Sequence, residues 1–235
     1  GGGLDRRDGA VGVRLGRIAL KVAYDGTDYA GWQRQENGPS IQQHIEENLF
    51  AVCKERITLY GSGRTDAGVH AIGQVAHFDT NTRIPPEKFS LALNVGLPRD
   101  IRVVESWEAQ EGFHARYSAK SKHYRYTIRN APVASALLGR YEWHLHAPLN
   151  VDAMMKGAPL FLGEQDYSAF TGAGCKIQNR VRRLIRSEIP TEGDRPHYDV
   201  VGNGFLYNLV RHMLGTPGGV GYGCIGAEGT RDRLS

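Results

Sequence analysis

The sequence predicts an α+β fold, and three observations carry that prediction. Short stretches with period-2 alternation recur along the chain, interleaved with segments whose apolar residues return every three or four positions. The first half runs strand, helix, strand, helix, strand, and the second half echoes that order at low residue identity. Between two strands of the first half lies Gly61–Ala71, G-S-G-R-T-D-A-G-V-H-A, a glycine-rich loop that carries a guanidinium and a carboxylate side by side.

Taken in order, Gly1–Val13 is glycine-rich and charged and reads as a disordered arm. Gly16–Tyr24 alternates as a strand with Ile18, Leu20 and Val22 on one face. Ser40-Ile-Gln-Gln43 has the spacing of a capping box, and Ile41, Ile45, Leu49 and Val52 follow at helical spacing, so a helix is expected over Ser40–Lys54. Ile57–Tyr60 leads into the glycine loop and Gln74–Phe78 leads out of it as a strand. Pro85-Pro86 opens a second helix over Pro86–Val95, stopped by Gly96, and Ile101–Trp107 is the next strand. In the second half, Lys122–Arg129 alternates as a strand, Asp152–Leu162 reads as a helix, Arg180–Ile189 and Tyr198–Val201 as strands, and Phe205–Leu214 as a final helix. The halves are set at residues 14–112 and 113–215. The stretch Asn130–Asn150 is either a boundary or a long loop within one continuous sheet.

Composition narrows the class. At 235 residues the chain suits one large domain or two small ones. Hydrophobic content of 40% and charged content of 23% are ordinary for a globular protein. No apolar run approaches a membrane span and no signal-peptide pattern is visible, so a cytoplasmic protein without membrane contact is expected. Cys53, Cys175 and Cys224 are far apart, which argues against a disulfide framework or a zinc site. The formal charge of +4 permits nucleic-acid binding without requiring it.

The loop fits neither of two nucleotide-binding patterns. A G-x-G-x-x-G fingerprint would need glycine where Asp66 stands, and a fixed negative charge there repels a pyrophosphate. Gly63–Gly68 satisfies G-x-x-x-x-G, but Val69-His70 follows where a P-loop needs Lys and then Ser or Thr. The plain alternative is a turn whose Asp66 caps backbone amides. Against that alternative stands the length of the motif: G-S-G-R-T-D-A-G-V-H-A resembles the active-site motif of the tRNA pseudouridine synthase A family.

Two further stretches carry the same resemblance. Phe113–Tyr126, F-H-A-R-Y-S-A-K-S-K-H-Y-R-Y, is similar to the family's second signature, and Gly202–Gly215, G-N-G-F-L-Y-N-L-V-R-H-M-L-G, to its third. By that resemblance Asp66 is the catalytic nucleophile or base, Tyr124 lies against the target base, and Val210 lines the pocket. Arg211 is the carboxylate's ion-pair partner, and Arg64 helps displace the target nucleotide. Arg116 is a further substrate-binding residue beside these motifs. Alternation along Lys122–Arg129 independently puts Tyr124, Tyr126 and Ile128 on one face and His123, Arg125, Thr127 and Arg129 on the other. Physically, Arg211 would keep Asp66 ionised in a poorly solvated site, so a buried yet charged acid is expected. Phe205, Leu209 and Met213 form a helical stripe beside it.

The resemblance covers Gly16–Gly215. It implies the pseudouridine synthase fold, a mixed or antiparallel sheet from two similar αβ halves flanked by helices with the active-site cleft between them. It also implies isomerisation of uridine at positions 38, 39 and 40 of the tRNA anticodon stem-loop, with neither metal nor organic cofactor, by a homodimer. Two basic runs, Arg116-Lys120-Lys122-Arg125-Arg129 and Lys176-Arg180-Arg182-Arg183-Arg186, suit phosphate contacts that position an RNA. His144 and His146 form the only close histidine pair and lack partners for a metal, and Glu164-Gln-Asp166 reads as a structural turn. Residues 216–235 depart from the family, being glycine-rich with Pro217 and without helical or strand periodicity, and read as an atypical, truncated or frame-altered tail. Two other functions compete: a non-catalytic RNA-binding protein or tRNA chaperone, and a glycosidic-bond hydrolase, for which the motif offers no second carboxylate.

Overall fold

The computed structural model describes residues 16–170, 177–205 and 230–234, the last of these as backbone only. The expected N-terminal arm and nearly all of the final helix, with Val210 and Arg211, lie outside the described residues.

One face of the first half is built as the apolar pattern requires. Strand β1 (Gly16–Tyr24) buries Ile18, Leu20, Val22 and Tyr24. Helix α1 (Ile41–Cys53) sets Ile41, Ile45 and Leu49 against them. Ser40 caps α1 by accepting from the Gln43 amide at 3.2 Å, while the Gln43 side chain donates forward to Glu47 at 2.9 Å, so only one half of the capping box forms. Lys54 ends the helix in the left-handed region at φ 58°. After the short strand β2 (Tyr60–Gly61) comes β3 (His70–Thr80), then a 3-10 turn at Pro86–Lys88, helix α2 (Phe89–Gly96) and β4 (Ile101–Glu108). Phe89 and Leu93 complete this core with Phe78, Ile101 and Val103.

The second half builds a separate core. Strand β5 (Lys122–Asn130) is followed by β6 (Trp143–Leu145), helix α3 (Val151–Gly157) with a 3-10 extension at Ala158–Phe161, and β7 (Gly163–Asp166). Then come β8 (Val181–Glu188), β9 (Thr191–Glu192), β10 (Arg195–Gly202) and β11 (Thr230–Leu234). Ile128, Met154, Phe161, Leu184 and Tyr198 are buried together, with Tyr124 and Tyr126 packed on them. The alternation expected of β5 is therefore present.

All of these strands join one mixed sheet in the order β4-β1-β3-β11-β5-β10-β8-β7, with β2 pairing β3, β6 pairing β5 and β9 pairing β10 off that path. The halves meet at β11, parallel to β3 (Arg231 opposite His70) and antiparallel to β5 (Arg231 opposite Arg125). The tail thus contains a strand that its composition did not announce, because a central strand is defined by backbone pairing on both sides. For the same reason β3 starts at His70 rather than Gln74: Tyr24 of β1 opposite Ala71 and the β11 ladder hold its first residues. Glu164-Gln-Asp166, expected as a turn, is the body of β7. The connection over 130–150 runs within the continuous sheet, pinned by Asn130, which donates to Leu145 O and Ala147 O and accepts from Leu149 N.

On the face of β5 opposite its core, Asp199 is 2% exposed and receives both ends of Arg125 at 2.6 Å, with His123 Nε2 at 3.3 Å. Burial pushes the Asp199 carboxyl up, but hydrogen bonds from His123 and Arg125 outweigh that and hold it far below the usual range. Removing one partner of such a pair leaves an uncompensated buried charge. Arg125→Leu is therefore expected to cost about 3 kcal/mol in urea unfolding, and Arg125→Leu with Asp199→Leu distinctly less.

Candidate active site

The loop after β2 is held at almost every residue. Ser62 N donates to Val75 O at 2.8 Å and the Gln74 side chain to Gly63 O at 2.6 Å. Thr65 is clamped from two sides, its hydroxyl 2.8 Å from the Tyr24 hydroxyl and its carbonyl accepting from Trp32 N at 3.1 Å. Val69 N returns to Asp66 O at 3.2 Å, closing a turn whose third residue, Gly68, has φ +78°, the position where such a turn requires glycine.

The segment after β1 lies against this loop so closely that side chains are excluded. A Cβ on Gly26 would sit 1.9 Å from Val69 O, and one on Gly31, which has φ +98°, 2.4 Å from Thr65 O. Across the loop, a Cβ on Gly61 would meet the Trp32 indole at 2.5 Å. Gly26 and Gly31 are the contact surface between two backbones, and Gly61 makes room for the indole.

The strand that leaves the loop is tied to both halves. His70 is buried, with Nδ1 accepting from Gly26 N at 2.9 Å and Nε2 3.0 Å from Arg140 O. Asp25 lies 3.1 Å from His70 Nδ1 and accepts from the Tyr141 hydroxyl at 2.6 Å and from Thr27 N at 3.0 Å. Burial raises the Asp25 carboxyl, but hydrogen bonds from Thr27 and Tyr141, with His70 beside them, pull it down to about 2. Sequence reasoning missed this cluster because Asp25 and Tyr141 are separated by 116 positions.

The expected site residues fall as follows. Asp66 and Arg64 are both exposed on the loop. The expectation of a buried acid is corrected: the turn presents Asp66 and Ala67 outward while Thr65 and Val69 on either side are buried. Tyr124 is half-buried, its ring 4.7 Å from that of Phe205 at 78°. Through β11, Ala71 opposes Asp232 and Asp232 opposes Tyr124. Two strand spacings therefore separate Tyr124 from the loop's last residue, about 10 Å. Lys122 reaches the loop itself, since a Cβ on Gly63 would meet its Nζ at 2.4 Å. Val210 and Arg211 lie outside the described residues.

The basic runs are only partly as expected. Arg125 is spent on Asp199, and Arg129 on Asp194 at 2.9 Å, so neither faces an RNA as a spare cation. Arg182 donates to Asn179 O and Val181 O, and Arg186 lies 3.6 Å from Glu188. Arg116 is exposed, its guanidinium 5.8 Å from the centre of the Tyr117 ring, and Lys120 and Arg183 are exposed as well. Among the described residues no group of three or more His, Cys, Asp or Glu is placed to hold a metal ion. No helix among them is long and apolar enough to cross a membrane.

The described residues thus place a pinned glycine loop with one exposed carboxylate at the junction of the two αβ halves, and a tyrosine on the neighbouring half. A family model described as tRNA pseudouridine synthase matches residues 20–118 and 158–233, a span that includes Asp66, Arg64, Arg116, Val210 and Arg211 but not Tyr124. The chain is 44% identical over 211 residues to the tRNA pseudouridine synthase A of Acetivibrio thermocellus, covering 90% of this chain and 86% of that one. It is 46% identical to that of Geotalea uraniireducens over 88% of this chain and 85% of the relative. For that of Geobacter sulfurreducens the identity is 47%, over 90% and 86%. The chain belongs to the tRNA pseudouridine synthase family, a class of isomerases.

Two outcomes follow from the loop's anchoring. Gly31→Ala puts a methyl group into the Thr65 carbonyl at a strained φ, and is expected to lower the urea midpoint and alter proteolytic cleavage within 61–69. Asp25 contributes stability above the ordinary carboxylate pKa of 3.8 that is lost as pH falls towards its folded value of about 2. Urea unfolding followed from pH 4 to pH 2 should show that loss, and Tyr141→Phe should diminish it.

Proposed function

We propose that the chain isomerises uridine to pseudouridine in tRNA with Asp66 as its catalytic carboxylate. The observation that carries this reading is the loop itself: Asp66 is open to a substrate while Thr65, Gly63, Val69 and His70 on either side are fixed to the scaffold. An acid so held can be approached by a ribose without reorganising.

The reaction conserves atoms. The N1–C1′ bond breaks, the uracil turns while bound, C5 joins C1′, the proton on C5 is lost and N1 gains one. Asp66 acts either by attacking C1′ or by taking a ribose proton in a glycal route. Arg211, one residue beyond Val210 in the third signature, is its ion-pair partner, and Val210 lines the pocket. The Tyr124 ring, steadied edge-on by Phe205, stacks on the uracil. Arg64 and Arg116 engage the RNA, Arg64 where the target nucleotide leaves its stack at a cost of a few kcal/mol. Because Asp66 is exposed in the free chain, the extruded nucleotide provides the cover that shields it from water. The targets are positions 38, 39 and 40 of the anticodon stem-loop, and the enzyme works in the cytoplasm as a homodimer without a metal or organic cofactor.

Incubation with an unmodified tRNA transcript and chemical mapping of pseudouridine tests this directly. Asp66→Ala should abolish product, by at least about a thousandfold, while tRNA affinity stays within a fewfold. Turnover retained by that variant removes Asp66 from its role. Binding without product in the unaltered chain would favour an RNA-binding protein instead, and free uracil would indicate a hydrolase.

A further inference from the structure

At the other end of β3 from Asp66, four rings form a connected group on and beside β2. Tyr60 lies nearly parallel to His77, with centroids 5.1 Å apart and planes at 17°. His77 meets His114 edge-on at 4.5 Å, and His114 lies 4.4 Å from Tyr117 at 36°. The inner rings are fixed: His77 is 1% exposed, and its Nδ1 accepts from Ala115 N at 3.0 Å. The outer rings are open. Tyr117 is 77% exposed and Tyr60 48%. Arg116 sets its guanidinium 5.8 Å from the Tyr117 ring centre.

We propose that this Tyr60–His114–Tyr117 platform, with Arg116 at its edge, is a second RNA-binding subsite that stacks an unpaired base outside the target pocket.

Three features favour a nucleotide over an apolar protein segment. Exposed rings backed by buried, hydrogen-bonded ones make a preorganised stacking surface that accepts any base. The cation beside Tyr117 supplies the phosphate contact that a stacked nucleotide carries with it. Burial, with the Arg17 charge nearby, pushes His77 down to about 4, so its ring is neutral near pH 7 and adds no second charge beneath Tyr60. The platform is distinct from the place where the target uridine would react. His77 is seven positions along β3 from His70, which at strand rise is about 23 Å, or several nucleotides. A base held there fixes the RNA's register relative to Asp66, and its effect falls on binding rather than on chemistry.

The inference rests on the proposed function only in that the RNA is the enzyme's own substrate, and the test separates the two. Steady-state kinetics on an unmodified tRNA transcript should show Tyr117→Ala raising KM about tenfold with kcat changed less than twofold, Tyr60→Ala acting likewise, and Tyr117→Phe restoring the unaltered KM. Separately, a single-stranded oligouridylate should bind the unaltered chain more tightly than an RNA duplex of equal length, and Tyr117→Ala should erase that preference. The second measurement needs no isomerisation, so it holds even if no pseudouridine forms. Unchanged KM and unchanged oligouridylate binding in Tyr117→Ala would overturn the subsite. A loss in kcat instead of KM, or failure of phenylalanine to restore binding, would overturn it too.

Discussion

The close approach of two backbones is the constraint on which the rest of the site depends. The segment after β1 lies against the loop before β3, and at Gly26 and Gly31 there is room for no side chain between them. That contact carries the Trp32–Thr65 and Gly26–His70 hydrogen bonds, and the Tyr24 hydroxyl meets Thr65 beneath it. A loop at a reactive site is usually among the least stable parts of a protein. Here it is fastened to the first core, whose β1 and α1 residues are fully buried, so the position of Asp66 inherits the rigidity of that core.

The same economy governs the charges. Arg125 and Arg129, on the strand that carries Tyr124, are committed to Asp199 and Asp194 and serve the sheet. Asp25 is committed to Thr27, Tyr141 and His70, and ties the connection over 130–150 to the first half. Among the described residues of the glycine loop and the basic runs, Arg64, Asp66, Arg116, Lys120 and Arg183 remain open at the surface. Buried pairs define the scaffold, and on the proposed reading the exposed cations are left for the RNA.

Much of the architecture was legible in the residues because it is local. Ile18, Leu20 and Val22 declare β1 by alternation, and Ser40 with Ile41, Ile45 and Leu49 declares α1 by its cap and its stripe. Tyr124, Tyr126 and Ile128 face one core as their spacing required. What was not legible is non-local. β11 has no periodicity of its own and exists through its partners β3 and β5, and the extra residues of β3 depend on the same pairing. The commitment of Arg125 could not be read from a cationic run, since Asp199 is 74 positions away and meets it only when β10 pairs with β5. Exposure of Asp66 is illegible for a related reason. The motif suggests an acid desolvated by the chain itself, whereas the turn closed by Gly68 projects it outward.

That outward projection resolves a conflict any such enzyme must meet. A carboxylate that is to act on a ribose gains strength when water is excluded, yet a permanently buried one would be costly and unreachable by a nucleotide still stacked in a helix. Holding the backbone rigid while leaving the side chain open divides the two requirements in time. On the proposed reading, the scaffold sets the position before the RNA arrives, and the extruded nucleotide itself removes the water when it does. On the proposed reading, Tyr124 on the opposite half provides the wall against which that nucleotide is held. The strand joining the halves thereby becomes part of that geometry: by lying between Ala71 and Tyr124 it holds the strand leaving the loop and the strand carrying the ring about 10 Å apart.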